Sequence, residues 1–290
     1  MPPRERTTLW AAVLCLIVRH TPWLTPLIRV ISIRVAWWGW PRLRRDLQTN
    51  ARRLLGTDST RRQRVRFAKN VIARFFDFIA TVADDASPEA LRARVVATEG
   101  ADRYLALRAR RGGVVLVTAH LGAFEPGLAA VVQVEKRVLV MFRRDSIRLF
   151  DRARSNLRTR MGVEEVHVDA GLPAWLRVRD ALRDHDAAVL IQGDRTMSGQ
   201  PGELIPFMDG HIRIPTGPVK LARAAECPLV PVFATFETRH LVRIHLEEPI
   251  DTSDVRVALG HYARILERFV RRYPDQWLMA LPAWAEDQEA

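Results

Sequence analysis

Apolar and polar positions follow two different periods along this chain, and the change between them divides it. Val65, Phe67, Ala68, Val71, Ile72, Phe75, Phe76 and Ile79 recur at spacings of three and four, while Arg61, Arg62, Arg64, Arg66, Lys69 and Arg74 fall mostly on the other side. That is the stripe of an amphipathic helix, and helical periodicity extends over 42–83. Ser87-Pro88-Glu89 has the composition of a further helix start, with Ser87 as cap and Pro88 in the first turn. Beyond Gly112-Gly113 the pattern becomes short unbroken apolar runs. Val114-Val115-Leu116-Val117-Thr118-Ala119 shows no alternation, as a strand buried on both faces requires. Similar runs predict strands over 137–142, 165–168, 187–191, 229–235 and 242–246. The segments between them predict helices over 124–132, 147–160, 173–184, 218–225 and 255–273. Alternating strands and helices imply an α/β fold, a mostly parallel mixed sheet covered by helices. Ligands bind such sheets at the carboxyl ends of strands, and His120 stands at one of those ends.

The N-terminal part reads differently. An apolar run over 9–18 is ten residues long, against about 20 for a spanning helix. Arg19, Arg29 and Arg34 interrupt the next apolar stretches, and Pro22 and Pro26 break any continuous helix. Trp23, Trp37, Trp38 and Trp40 are four of the eight tryptophans, and Trp40 is followed by the basic stretch Arg42-Leu43-Arg44-Arg45. Tryptophan favours the membrane–water interface and arginine reaches up to headgroups, so helices lying in or dipping into one leaflet are expected. Two other readings stand beside this one. A secretory signal peptide would share the basic start at Arg4 and Arg6 but lacks a small-residue cleavage site after Val18. An ordinary amphipathic helix packed on a core would share the periodicity. The division expected is a basic, Trp-rich, membrane-associating helical segment over 1–85 and an α/β catalytic domain over 86–290, together one folding unit.

Charge sharpens the division. The net charge is +12, and residues 1–76 hold 16 Arg and Lys against 3 Asp and Glu. The excess therefore sits in the first quarter, where it seeks a polyanion; the apolar run beside it favours an anionic lipid surface over nucleic acid. With 48% hydrophobic and 27% charged residues over 290 positions, the chain is globular and long enough to bury a core. Two cysteines, Cys15 and Cys227, make no disulfide framework, and the histidines show no metal-ligand spacing. P-loop, G-x-G-x-x-G, H-E-x-x-H and G-x-S-x-G motifs are absent.

The candidate chemistry lies in His120-Leu121-Gly122-Ala123-Phe124-Glu125. A histidine at a strand end with an acid five positions later, across a turn, brings imidazole and carboxylate to one rim. The histidine then acts as general base on a hydroxyl, and the carboxylate fixes its tautomer. No serine is needed when the attacking hydroxyl belongs to the acceptor. Thr118 to Glu125 resembles the H-x4-D/E motif of glycerolipid-type acyltransferases, and most resembles the branch holding the lipid A late acyltransferases and the phosphatidylinositol mannoside acyltransferases. Further segments come in that family's order: Met141-Phe142-Arg143-Arg144, Arg154-Ser155-Asn156, Gln192-Gly193-Asp194-Arg195, Phe207-Met208-Asp209-Gly210, Pro215 to Arg223 and Pro228 to Phe233.

The resemblance implies an acyltransferase with no cofactor and no metal. Its co-substrate is an acyl thioester, acyl-carrier protein or acyl-coenzyme A. Its acceptor is a hydroxyl of a membrane lipid or glycolipid such as a lipid A precursor; mannosylated phosphatidylinositol, ornithine-type lipids and polyene pigments offer the same group. It implies a peripheral or monotopic place on the cytoplasmic face of the bacterial inner membrane, with no nucleic-acid partner. Residue by residue, His120 matches the base and Glu125 its acidic partner, with Arg143 and Asp194 on substrate. Arg195, a fork of donors for phosphate or a developing oxyanion, is added from its chemistry. The alternative is a catalytically inactive acyltransferase fold that binds anionic membrane surfaces.

Overall fold

The computed structural model describes residues 22–83, 87–110, 112–143, 148–184, 186–196 and 199–288. The apolar run over 9–18 lies outside them. After a 3-10 turn at Pro22–Leu24, three helices come first: α1 (Thr25–Gly39), α2 (Pro41–Leu55) and α3 (Arg61–Ala83). Next come α4 (Pro88–Arg92), β1 (Val95–Glu99), α5 (Ala101–Arg108), β2 (Val114–Thr118), α6 (Phe124–Val134), β3 (Val138–Phe142), α7 (Arg148–Arg160) and β4 (Glu164–His167). The chain continues through α8 (Leu172–Asp184), β5 (Ala188–Gln192), β6 (Gly202–Phe207), β7 (Gly210–Pro215), α9 (Gly217–Ala224), β8 (Leu229–Phe236), β9 (Val242–Leu246), α10 (Val255–Arg272) and α11 (Ala285–Gln288). Pro26 sits in the first turn of α1, where its missing N–H costs nothing, and Ser87 caps α4 by accepting from the Ala90 N–H.

Seven strands form one sheet in the order β1-β9-β8-β2-β5-β3-β4. Every neighbouring pair is parallel except β8–β9, so the sheet is mixed but mostly parallel. The unbroken apolar runs are explained by burial on both faces. Val115, Val117 and Ala119 pack into a core with α8, α9 and α10; Val114 and Leu116 pack into the opposite core with Tyr104 of α5 and Leu128 and Val131 of α6. Each buried valine or leucine among them contributes about 1.5–3 kcal/mol by leaving water. β6 and β7 form a separate antiparallel hairpin packed on α10. This hairpin and β1 were not expected from the pattern.

The topology fixes where a site belongs. β2 and β5 are hydrogen-bonded neighbours. The chain leaves β2 through α6 toward β3, and leaves β5 through the hairpin and α9 toward β8, on β2's other flank. These connections cover opposite faces, so they open a crevice at the carboxyl ends of β2 and β5.

The N-terminal helices have their own small core of Ala36, Trp37, Leu47, Ala51, Phe67, Ala68, Val71 and Ile72. Cations lie over the Trp37 ring, Arg44 at 5.8 Å and Lys69 at 5.2 Å. Polar bonds tie this bundle to the C-terminal segment. The Asn50 amide donates to the Met279 and Leu281 carbonyls at 3.0 and 2.8 Å and accepts from the Ala283 N–H at 3.0 Å. Arg53 pairs with Asp287 at 3.0 Å. Among the described residues, no helix is long and apolar enough to cross a membrane. Along α1, however, Leu27, Val30, Ile31 and Trp38 form an exposed line at helical spacing, with Trp23 just before it; Trp23 and Trp38 are 76% and 73% exposed.

Candidate active site

β2 delivers His120 to the rim, and the turn after it is pinned on two sides. From β8, the Ala234 carbonyl accepts the Ala123 N–H at 2.7 Å. From the segment after α10, the Leu278 N–H donates to the His120 carbonyl at 2.7 Å, and the Gln276 carbonyl accepts the Gly122 N–H at 2.9 Å. The Gln276 side chain in turn bonds both the N–H and the carbonyl of Phe236, at 2.7 and 2.8 Å. Only glycine fits at position 122: its φ is +70°, and a Cβ would stand 2.0 Å from the Ala234 carbonyl oxygen.

β5 delivers the partner. One Asp194 oxygen, Oδ1, lies 2.8 Å from His120 Nδ1. The other, Oδ2, accepts the His120 backbone N–H and the Trp277 indole N–H, each at 3.0 Å. The carboxylate can only accept, so Nδ1 carries a proton, and in the neutral ring Nε2 is left with the lone pair. The His120 side chain is 29% exposed while that of Asp194 is fully buried, and nothing among the described residues hydrogen-bonds Nε2. Burial acts to raise the Asp194 carboxyl; the charge that His120 carries when protonated and the three donors outweigh it and hold the group below the usual carboxylate range. Beneath the pair, the Tyr262 hydroxyl donates to the Thr118 carbonyl at 2.7 Å. Burial, with Asp194 adding, pushes that phenol well up, so it stays protonated.

Glu125 is not the partner of His120, contrary to the reading from their spacing. It lies in the first turn of α6 and is wholly buried between two α7 arginines. Arg154 Nε donates to it at 3.0 Å, and Arg158 donates through a terminal nitrogen at 2.8 Å. Burial works against ionisation, but Arg158 and then Arg154 overcome it and lower the Glu125 pKa. Arg158 also bonds Glu165 of β4 at 3.1 Å and lies over the Phe124 and Phe142 rings at 5.4 and 5.0 Å. The physical reason is local: helical geometry starting at Phe124 turns a side chain in the first turn into the layer between α6 and α7, away from the rim.

The remaining candidates separate. Asp194, expected on substrate, has its oxygens occupied by protein donors. Arg143 directly follows β3, its side chain 45% exposed and its Nε 3.9 Å from Asp169. It lines an open cleft of about 510 Å³ on the same rim, beyond β5, which His120 does not line. Arg195 directly succeeds Asp194 in the chain, and its Nε is buried with no hydrogen-bond acceptor among the described residues. Cys227 is buried, which pushes its thiol up to about 11 and leaves it unsuited as a nucleophile. Among the described residues no three His, Cys, Asp or Glu side chains gather as metal ligands would.

Trp277 and Tyr262 escaped the sequence reading, because an isolated aromatic near the end of a chain carries no pattern. Asp194 as the partner of His120 had one available signal: the aliphatic runs of β2 and β5 end in the same way, at Val117 and Ile191, each three residues before a titratable group.

A family model described as bacterial lipid A biosynthesis acyltransferase matches residues 2–286. No curated protein matches the chain.

Proposed function

The chain belongs to the bacterial lipid A biosynthesis acyltransferase family, and from that premise we propose a direct, single-displacement acyl transfer run by His120 and Asp194. The enzyme is an acyltransferase; its substrates and the roles of its residues are our inference. The donor is an acyl thioester of a carrier protein or coenzyme A, and the acceptor is a hydroxyl of a membrane lipid or glycolipid such as a lipid A precursor. His120 Nε2 takes the proton of the acceptor hydroxyl as its oxygen attacks the thioester carbonyl. Asp194 holds the tautomer and stabilises the imidazolium. The tetrahedral intermediate collapses, the C–S bond breaks, and the imidazolium returns its proton to the leaving thiolate. The products are an ester and a free thiol. Arg195 is assigned to the oxyanion and Arg143 to an anionic group of a substrate. Glu125 acts as the buried anchor of α6 on α7.

The observation that carries this reading is the His120–Asp194 pair, with no described residue bonding Nε2, at the crevice between the diverging exits of β2 and β5. The exposed line on α1 supports a peripheral position, α1 lying in the interface of the inner membrane on its cytoplasmic face. To test both, purified protein is incubated with radiolabelled acyl-carrier protein or acyl-coenzyme A and a membrane lipid extract, beside His120→Ala. A labelled lipid made by wild type alone supports the reading, and its mass names the acceptor. If neither protein labels lipid with either donor, while both still bind anionic vesicles, the reaction assigned to the pair is wrong. Loss of vesicle binding in a Trp23→Ala/Trp38→Ala variant tests the membrane face separately.

A further inference from the structure

The cleft beyond β5 has no part in the proton transfer, yet it is built like a binding site. One side carries cations: Arg143 directly after β3, Arg179 on α8 and Lys220 in the first turns of α9. Asp169 is the acid in its wall, 3.9 Å from Arg143, and Arg179 is also bonded to its neighbour Asp180. The other side is apolar, with Trp175 and Leu176 of α8. Gly217 opens α9 directly under Trp175, where a Cβ would stand 2.7 Å from the indole ring. The recess thus joins a flat aromatic wall to a cationic rim. That combination suits a phosphate ester on a mostly uncharged arm.

Its position narrows the ligand. β5 alone separates β2 from β3, so the mouth of the cleft stands two strand spacings, roughly 10 Å, from His120. We propose that this cleft is the seat of the 4′-phosphopantetheine arm of the thioester donor, with the phosphate at Arg143 and Lys220 and the pantetheine amides and methyls along Trp175. The proposal rests on the acyltransferase reading above and adds a subsite to it. Three chain units (cysteamine, β-alanine and pantoate) lie between thiol and phosphate. Fully extended, at about 3.5 Å per unit, they reach roughly 10 Å, enough to set the thioester carbonyl beside His120. The same arm occurs on coenzyme A and on carrier proteins, so one recess serves either donor. A volume of about 510 Å³ suits such an arm and is small for a glycolipid head carrying several chains.

The test is calorimetric, on the full-length resting protein, with 4′-phosphopantetheine and with pantetheine lacking the phosphate. Phosphopantetheine is expected to bind at least about tenfold more tightly, as one charge-assisted hydrogen bond provides. Lys220→Gln, an exposed position, should remove most of that preference while leaving pantetheine binding unchanged. Trp175→Leu should weaken both probes. Coenzyme A or a phosphopantetheinylated carrier protein should compete with the probe. Equal binding of the two probes, no effect of Lys220→Gln in a protein that melts like wild type, or failure of both natural donors to compete overturns the assignment. So does a Lys220→Gln effect confined to the KM of the lipid acceptor, which would give the cleft to an acceptor phosphate. Acyl transfer by wild type without phosphopantetheine binding sinks only this inference. Absence of transfer with every donor sinks the reading on which it rests.

Discussion

Replacing Asp194 by asparagine preserves shape and removes charge, and the geometry dictates how the new side chain settles. Two donors, the His120 N–H and the Trp277 indole N–H, converge on Oδ2 at 3.0 Å. The asparagine oxygen must take that place, because an amide NH2 there would face two donors. The NH2 is then turned toward His120 Nδ1, which must accept, and the ring proton moves to Nε2. A histidine protonated at Nε2 cannot take a proton from the acceptor. The expected fall in kcat is about 10⁴-fold, as for a triad histidine held in the wrong tautomer, equivalent to roughly 5 kcal/mol of barrier. The hydrogen-bond count is kept, so the stability lost is limited to the contribution of the Asp194 charge and should be smaller than in the contrasting variant, Glu125→Gln. That variant leaves Arg158, 1% exposed, without its main counter-charge, and breaking a buried pair costs about 3–5 kcal/mol. In a chain of this size that lowers Tm by roughly 10 °C. The assay is kcat with a labelled thioester donor alongside a thermal melt for each variant. Asp194→Asn retaining activity within tenfold of wild type, or Glu125→Gln losing all activity with an unchanged melt, would refute this division of roles.

Other perturbations act on the same contacts. Asn50→Ala leaves the Met279 and Leu281 carbonyls and the Ala283 N–H without their partner; about 3 kcal/mol of stability should be lost, and kcat should fall because the freed segment carries Trp277. Gly122→Ala meets both a left-handed φ and the Ala234 carbonyl, so the turn must shift, and a kcat reduced at least tenfold is expected from steady-state rates. On acidification, Asp194 and Glu125 have folded pKa values below their ordinary ones, so their contribution is complete above about pH 4 and disappears as pH falls through the depressed values. Below about pH 4, wild type should therefore lose stability more steeply than Asp194→Asn in denaturant titrations; parallel curves would contradict the charge on Asp194.

How much of this was readable from residues alone depended on whether a feature was local. β2 declared itself because burial on both faces demands an unbroken apolar run, and α10 because one face of it is buried along its length. β1 did not, since Val95–Glu99 is an edge strand with mixed exposure. β6 was hidden by Pro206, which ordinarily argues against a strand; a two-stranded hairpin has an open edge where a missing N–H is tolerated. The site failed in the same way. Glu125 was favoured because it is near His120 in sequence, but the first turn of a helix carried it elsewhere. Asp194 reaches His120 only because β5 inserts beside β2, out of chain order.

The segment that closes the His120 turn comes from far down the chain, and this gives activity a place in time. As the protein emerges from the ribosome, the basic helices come out first and the strand bearing His120 soon after. Trp277 and Leu278, which complete the bonding around Asp194 and the His120 carbonyl, are translated last among these parts. Asn50 of α2 waits for the same segment. If α1 lies in the interface as proposed, a nascent chain meets the lipid surface well before its histidine is fixed, and the proposed reaction waits until translation has supplied the last piece of its site.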